Sequence, residues 1–290
     1  MAVRKFWLVN KYNEKFEDIK ECFQFGSPSG LGLSSNLTTV RLGDSSLLTY
    51  TEHQLINKSF ELRFYGEITT AYQKYTEFTR FIAKSPLYLY YQPPNLKEPL
   101  MCEVEIVSLD KGEMDEDKIL RCNASFQPLT FWEDKTEHII TATKTVLEGG
   151  KHYQLQRPYY YSTSALSNIP IYNEGLADAP FSIEVIGEAT DIQYNLYTED
   201  GTKYGVGKIN GTFDRIYINS DDLLETIELE KSGALVANPY NYQDLSIGAL
   251  DGLTTTFLKL KSGKNLLTFN VDTNFKGEIN IIWRNRYVTI

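Results

Sequence analysis

Helical periodicity occurs in one place in this chain, and that restricts its fold more than any other feature. From Tyr72 the apolar positions Tyr75, Phe78, Phe81 and Ile82 recur at three- and four-residue steps, with Gln73, Lys74, Glu77 and Arg80 on the opposite face. The spacing predicts a helix capped by Thr69 or Thr70 and running to about Lys84. Pro86 closes it, because a proline disfavours helical angles in the residue before it. A lone helix has no helical neighbour to receive its apolar stripe, so it must lie on a sheet. The 20 Tyr and 15 Phe, with abundant Thr, Ile and Val, supply that sheet, since branched and aromatic side chains pack well on a pleated surface. At 290 residues and 42% apolar, the expectation is two β-rich domains.

Strand signals flank the helix on both sides. Lys5 to Asn10 and Lys15 to Lys20 read as a short hairpin around Lys11-Tyr12-Asn13-Glu14, followed by a loop, Gly26 to Asn36, whose Gly26, Gly30 and Gly32 permit unusual backbone angles. Leu37 to Leu42, Ser46 to Ile56 and Ser59 to Tyr65 are further strand candidates. Beyond the helix, Met101 to Leu109 alternates with Cys102, Val104 and Ile106 on its dry face, and Leu120 to Phe126 is its partner. The link Asp110 to Lys118 holds four acids, Glu113, Asp115, Glu116 and Asp117, and is expected to be a long acidic tip unable to pack on its own body. Glu133 to Gly150 reads as a passage between domains, which sets the division at 1–140 and 141–290. From Thr163 onward, short strands alternate with turn signals in the manner of a β-sandwich: Pro180 to Ile186, Gln193 to Thr198, Phe213 to Ile218, Thr226 to Glu230, and a hairpin about Ser262-Gly263-Lys264-Asn265. In the last strand Ile279, Ile281 and Trp283 share a face, with Arg284 and Arg286 pointing away.

The chemistry of catalysis is missing from this pattern. His53, His138 and His152 are scattered, and none stands at metal-ligand spacing from a cysteine or another histidine. There is no Gly-x-Ser-x-Gly elbow and no phosphate-binding loop lysine. Glu103 and Glu105 share one strand face, as paired glycosidase carboxylates do, yet they also form the wet side of an amphipathic strand, which is the stronger reading. The acids from Glu113 to Asp117 lack the glycine and terminal glutamate of a calcium loop. Cys22, Cys102 and Cys122 read as reduced apolar fillers; a Cys102–Cys122 bridge across the second hairpin is the weaker alternative. No cofactor or metal is expected. A net charge of −9 without a basic patch argues against a protein that grips phosphates. The amino terminus has no apolar run of signal length and no stretch nears a membrane span, so the sequence predicts a protein made in a cytoplasm and without a membrane anchor.

The loop Ser27-Pro28-Ser29-Gly30-Leu31-Gly32, the hairpin and helix that follow it, the run Ser85-Pro86-Leu87-Tyr88-Leu89-Tyr90-Tyr91 and the stretch Phe126 to Trp132 come in an order that resembles the amino-terminal half of the distal tail proteins of long-tailed phages infecting Gram-positive bacteria. Ile171-Tyr172-Asn173-Glu174-Gly175, Phe181 to Gly187, and Phe257-Leu258-Lys259-Leu260 ahead of Gly263-Lys264-Asn265 are similar to the galectin-like carboxy-terminal domain of the same family. The resemblance implies a mainly β protein: an amino-terminal sandwich-like domain with one helix and a long hairpin, then a galectin-like or carbohydrate-binding-module-like sandwich. It implies a structural, non-enzymatic virion component of the phage tail tip, a homo-hexameric ring through whose channel DNA passes without specific binding. Its partners would be the tail tube protein, a tail-associated lysin or tail fibre hub protein, and receptor-binding or baseplate proteins. In that family a hairpin reaches the neighbouring subunit and belts the ring, which points here to Lys111, Gly112, Glu113, Met114, Asp115, Glu116 and Asp117, with Gly30, Leu31 and Gly32 as an assembly loop. The alternative is a cell-wall lectin stacking sugars on Tyr159, Tyr161, Tyr240 and Tyr242.

Overall fold

In the computed structural model, the structure describes residues 4–19, 22–42, 45–94, 96–143, 165–246, 256–271 and 275–289. The chain divides into two compact units, Met1–Lys135 with Arg286–Ile290, and Thr136–Asn285. Both are built from antiparallel strands, so the mainly β architecture read from the sequence is observed.

The first unit opens with β1 (Lys5–Asn10), β2 (Lys15–Glu17), β3 (Phe23–Ser29), β4 (Ser35–Leu42), β5 (Ser45–His53) and β6 (Lys58–Tyr65). Helix α1 (Ile68–Ile82) follows, then β7 (Leu87–Gln92), β8 (Leu100–Met114), β9 (Ile119–Pro128) and β10 (Trp132–Asp134). The main sheet runs β2-β1-β7-β8-β9-β6-β3, with β10 paired to β8. Strict alternation explains why these segments form strands: Phe60, Leu62 and Phe64 on β6, and Leu87, Leu89 and Tyr91 on β7, are buried on one face. The helix does lie on this face, through Ala71, Phe78, Phe81 and Ile82. Phe78 meets Phe16, Phe23 and Phe64 with ring centroids 5.1, 5.9 and 6.0 Å away, so aromatic edges and faces weld the helix to both ends of the sheet. The expected threonine cap is not used: Glu67 precedes the first turn without a side-chain capping bond, and Thr69 and Thr70 fall inside the helix.

The second unit contains β11 (His138–Thr143), β12 (Ala165–Asn173), β13 (Ala179–Thr198), β14 (Lys203–Asn219), β15 (Thr226–Lys231), β16 (Ala234–Leu235), β17 (Lys259–Leu260), β18 (Gly263–Asn270) and β19 (Glu278–Trp283). Its organising element is the long hairpin β13–β14. The first half of β13 pairs with β19 and the second half with β18, so one strand serves two groups of neighbours. The change of partner falls where the β13–β14 register shifts, between Ile186 and Ala189 and again before Ile192. Gly187 makes the bend feasible: its φ is +114°, and a Cβ there would stand 3.0 Å from the Cα of Gly277. Ile183, Val185, Leu196, Ile209, Leu267, Phe269, Ile279 and Ile281 from both halves bury one common core.

The chain then returns to the first unit through β20 (Arg286–Tyr287), which pairs with β10. The Arg286 guanidinium donates to Glu133 Oε1 at 2.7 Å, and both residues are buried. A buried pair of this kind costs several kcal/mol if one partner is lost, because the other charge stays behind without compensation.

Candidate assembly surface

Two hairpins of the first unit carry the features expected of an assembly surface, and the structure distributes them differently from the sequence reading. In the β8–β9 hairpin, the strands continue to Met114 and restart at Ile119, so the expected long acidic link shrinks to a tip of Asp115 to Lys118. The tip closes on itself: Asp115 accepts the Ile119 N–H at 2.9 Å, and Lys118 takes a left-handed φ of 61°. The Ile119 amide, with Arg121 as a second donor, holds the Asp115 carboxyl below its ordinary pKa. Contrary to the expectation, this tip packs on its own body. The Tyr72 hydroxyl donates to Glu113 at 2.9 Å, Lys111 Nζ sits 4.3 Å from the Tyr72 ring centroid, and Lys118 donates to Glu67 at 2.6 Å. Arg121 bridges Glu61 and Asp115, both at 2.9 Å. Met114 is half-buried against the core.

The Gly30–Gly32 loop is likewise stitched to its own unit. Lys58, 4% exposed, donates through Nζ to the Gly30 carbonyl at 2.6 Å; burial pulls its pKa down. A Cβ on Gly30, whose φ is +76°, would stand 1.9 Å from the Asn57 carbonyl oxygen, so only glycine fits. Leu31 packs on the core, and its carbonyl accepts from Thr289 at 3.3 Å. Gly32 alone of the three faces open space.

The β4–β5 hairpin is the feature whose significance the sequence reading missed. It forms a separate two-stranded sheet, each strand pairing with the other and with no further strand among the described residues. Leu37, Val40, Leu47, Leu48 and Tyr50 are 62, 49, 55, 54 and 59% exposed. Cross-strand partners show that both faces are apolar: Val40 lies opposite Leu47, while the adjacent Leu48 lies opposite Thr39. The neighbouring leucines Leu47 and Leu48 were the available signal, because a strand that covers a core on one side has no use for apolar residues at consecutive positions.

The other expected sites come out as follows. Tyr240 and Tyr242 stand on a 3-10 turn, Pro239–Tyr242; Tyr240 is 48% exposed and Tyr242 packs edge-on to Phe213 at 5.1 Å. Tyr159 and Tyr161 lie outside the described residues, as does His152. Glu103 and Glu105 are half-buried on the outer face of β8, and Glu105 accepts from Ser85 at 3.0 Å. Cys102 and Cys122 do not face each other: Cys122 is in register with Lys111 and Leu62, and Cys102 with Leu89. All three thiols are free, and burial pushes Cys102 up to about 12, which keeps it protonated and unreactive. Among the described residues no group of three His, Cys, Asp or Glu is placed to hold a metal, and no helix is long and apolar enough to cross a membrane.

Solved structures of phage baseplate and tail hub proteins share this architecture. Over nearly its whole length the chain has the fold of a protein in the activated baseplate of phage P2, at TM-score 0.57, 16% identity and coverage of 99% of this chain and 100% of that one. It matches equally the Dit protein of phage SPP1, described as a paradigm of the hub adsorption apparatus in Gram-positive infecting phages, at TM-score 0.60, 11% identity and coverage of 96% and 98%. Residues 5–129 match the family model for the distal tail protein, N-terminal domain, so the first unit carries a distal tail protein amino-terminal domain, and the resemblance read from the sequence is confirmed there. No curated protein matches the chain significantly.

Proposed function

We propose that this protein is a structural hub of a phage tail tip, closing as a homo-hexameric ring around the DNA channel. One face joins the tail tube protein; the other carries the tail-associated lysin or fibre hub and the receptor-binding or baseplate proteins. The observation that carries this reading is the β4–β5 arm, whose two apolar faces have no cover among the described residues. Exposed apolar side chains gathered on one element mark an interaction site. A head-to-tail contact repeated by rotation closes into a ring. The tip residues Lys111 to Asp117 and the loop Gly30 to Gly32 belong to this interface as a polar rim, pre-shaped by the bonds that hold them to their own unit. The net charge of −9, repeated around a ring, repels DNA and lets it pass without sticking.

The galectin-like second unit projects adhesion components, with Leu223, Leu224, Leu235 and Tyr240 exposed for protein contact. Light scattering on the purified chain tests the core of the proposal. The expected mass is about 199 kDa, six times the 33.2 kDa chain. A monomer at every concentration, alone and with tube and baseplate partners, would contradict it.

A further inference from the structure

One face of the large sheet in the second unit is laid out as a polar platform. On β13, β14, β15 and β19 the positions Ile183, Val185, Ile216, Ile218, Ile227 and Ile281 are buried in the core, so the alternate positions point outward. The register aligns these in rows. Asn280, Glu184, Tyr217 and Glu228 lie side by side across four strands, a span of ~14 Å at the ordinary strand spacing. Arg215 and Asn219 share that face of β14, two residues to either side of Tyr217. The polar groups are fixed at one end and open at the other. Arg215 donates through Nε and a terminal nitrogen to Glu184 Oε1 at 2.9 and 2.8 Å, and approaches Glu228 at 3.6 Å. Asn219 Oδ1 accepts from Ser182 at 3.3 Å and from the Asp221 N–H at 3.1 Å, while Asn280 Oδ1 accepts from Thr141 at 2.7 Å. Among the described residues nothing bonds to the two amide nitrogens or to Glu184 Oε2.

We propose that this face is a saccharide-binding site and that its ligand is a neutral oligosaccharide. The proposal is independent of the ring reading, which rests on the first unit. A sugar ring presents an apolar C–H face bordered by hydroxyls that each donate and accept a hydrogen bond. Tyr217, half-buried, supplies an aromatic seat for the C–H face, with the Arg215 guanidinium 5.8 Å from its ring centroid. Around it the amide N–H groups of Asn219 and Asn280 donate, and the open carboxylate oxygens of Glu184 and Glu228 accept. Neighbouring hydroxyls need both kinds of partner within one short row. Arg215 holds the two carboxylates in place before a ligand arrives, so less ordering is left to cost affinity. Charge selects the class of sugar. Glu230 and Glu278 share the row of Arg215, so one guanidinium stands among four carboxylates with Glu184 and Glu228, and the face repels phosphate, sulfate and uronate groups.

The test is calorimetric titration of the full chain with lactose, maltotriose and tri-N-acetylchitotriose as neutral probes and trigalacturonate as the anionic one. The expected result is saturable binding of at least one neutral probe at ~10 mM, where a Kd of about 1 mM gives nearly full occupancy, and none of trigalacturonate. Tyr217→Ala is expected to weaken that binding at least ~10-fold through loss of the aromatic seat. Glu184→Gln keeps the shape and removes the charged acceptor, so it also weakens binding, while Lys264→Ala, on β18, leaves it unchanged. Thermal melting of each variant checks that the unit remains folded, and Glu184→Gln decides the matter where Tyr217→Ala does not fold. No binding of any neutral probe overturns the proposal. Binding that survives both Tyr217→Ala and Glu184→Gln overturns the location, and binding of trigalacturonate alone overturns the neutral class. Light scattering runs in parallel: a change of native mass in Tyr217→Ala without any saccharide binding by the parent chain shows a protein contact on this face and overturns the saccharide. None of these results bears on whether the first unit forms a ring.

Discussion

The β8–β9 and β4–β5 hairpins sit in the same unit, yet one is finished and the other is not. Along β9, Leu120, Cys122, Ala124 and Phe126 are all buried, and even its charged tip is tied to α1 and β6. Along β4 and β5 the apolar side chains stand in water on both faces. A run of acids drew attention to the first hairpin, but Asp115 and Glu113 of that run are held locally by Arg121 and Tyr72. Unsatisfied apolar surface is what a single copy cannot provide for, and it lies on the second. The difference teaches that assembly is better sought where hydrophobic groups lack cover than where charge accumulates.

The sharpest way to break that comparison is to truncate one leucine in each hairpin. Leu120→Ala removes a fully buried side chain and is expected to cost ~2–5 kcal/mol in urea unfolding. Leu48→Ala is expected to change the unfolding free energy by less than ~0.5 kcal/mol, while reducing the ring population in light scattering. Equal destabilisation by both would show that the arm is part of the folded core.

A smaller effect tests how β9 is held. Hydrogen bonds from Arg63 and then Arg121 lower the Glu61 carboxyl pKa, so the stabilisation is fully present above the ordinary carboxylate value and is lost as pH falls through the lowered one. Glu61→Gln should therefore melt below the parent chain at about pH 7, with the difference shrinking towards about pH 3. A difference that grows on acidification would contradict the sign. Smallest of all is Lys118→Ala, which breaks an ion pair whose side chains are 62% and 78% exposed and is expected to leave the urea unfolding midpoint unchanged.

How much of this was legible follows from which distances each feature depends on. The helix was readable because Phe78, Phe81 and Ile82 obey a period set within the element itself. The strand character of Leu37 to Leu42 was readable for the same reason. That no second layer among the described residues covers it depends on the rest of the fold, and alternation carries no such information. Residues Asp110 to Met114 looked like loop because their charges break the alternation; the pairing of Lys111 with Cys122 on β9 keeps them in the ladder regardless. Arg286 was placed on the wet face of the preceding strand, whereas the chain turns after Trp283 and brings it to Glu133, 153 residues away in sequence. Tyr72 was assigned to the apolar stripe and Glu113 to solvent, and their hydrogen bond spans 41 residues. Contacts of that separation leave no periodic trace.

The central claim is that the β4–β5 arm is built for assembly and not for the stability of its own unit. Its most direct test is to replace Ser35–His53 by a short glycine-serine link and compare native mass and thermal melting with the full chain. The account predicts an unchanged melting midpoint and a monomer where the full chain forms a ring. An armless protein that assembles to the same ring, or one that no longer folds, would contradict it.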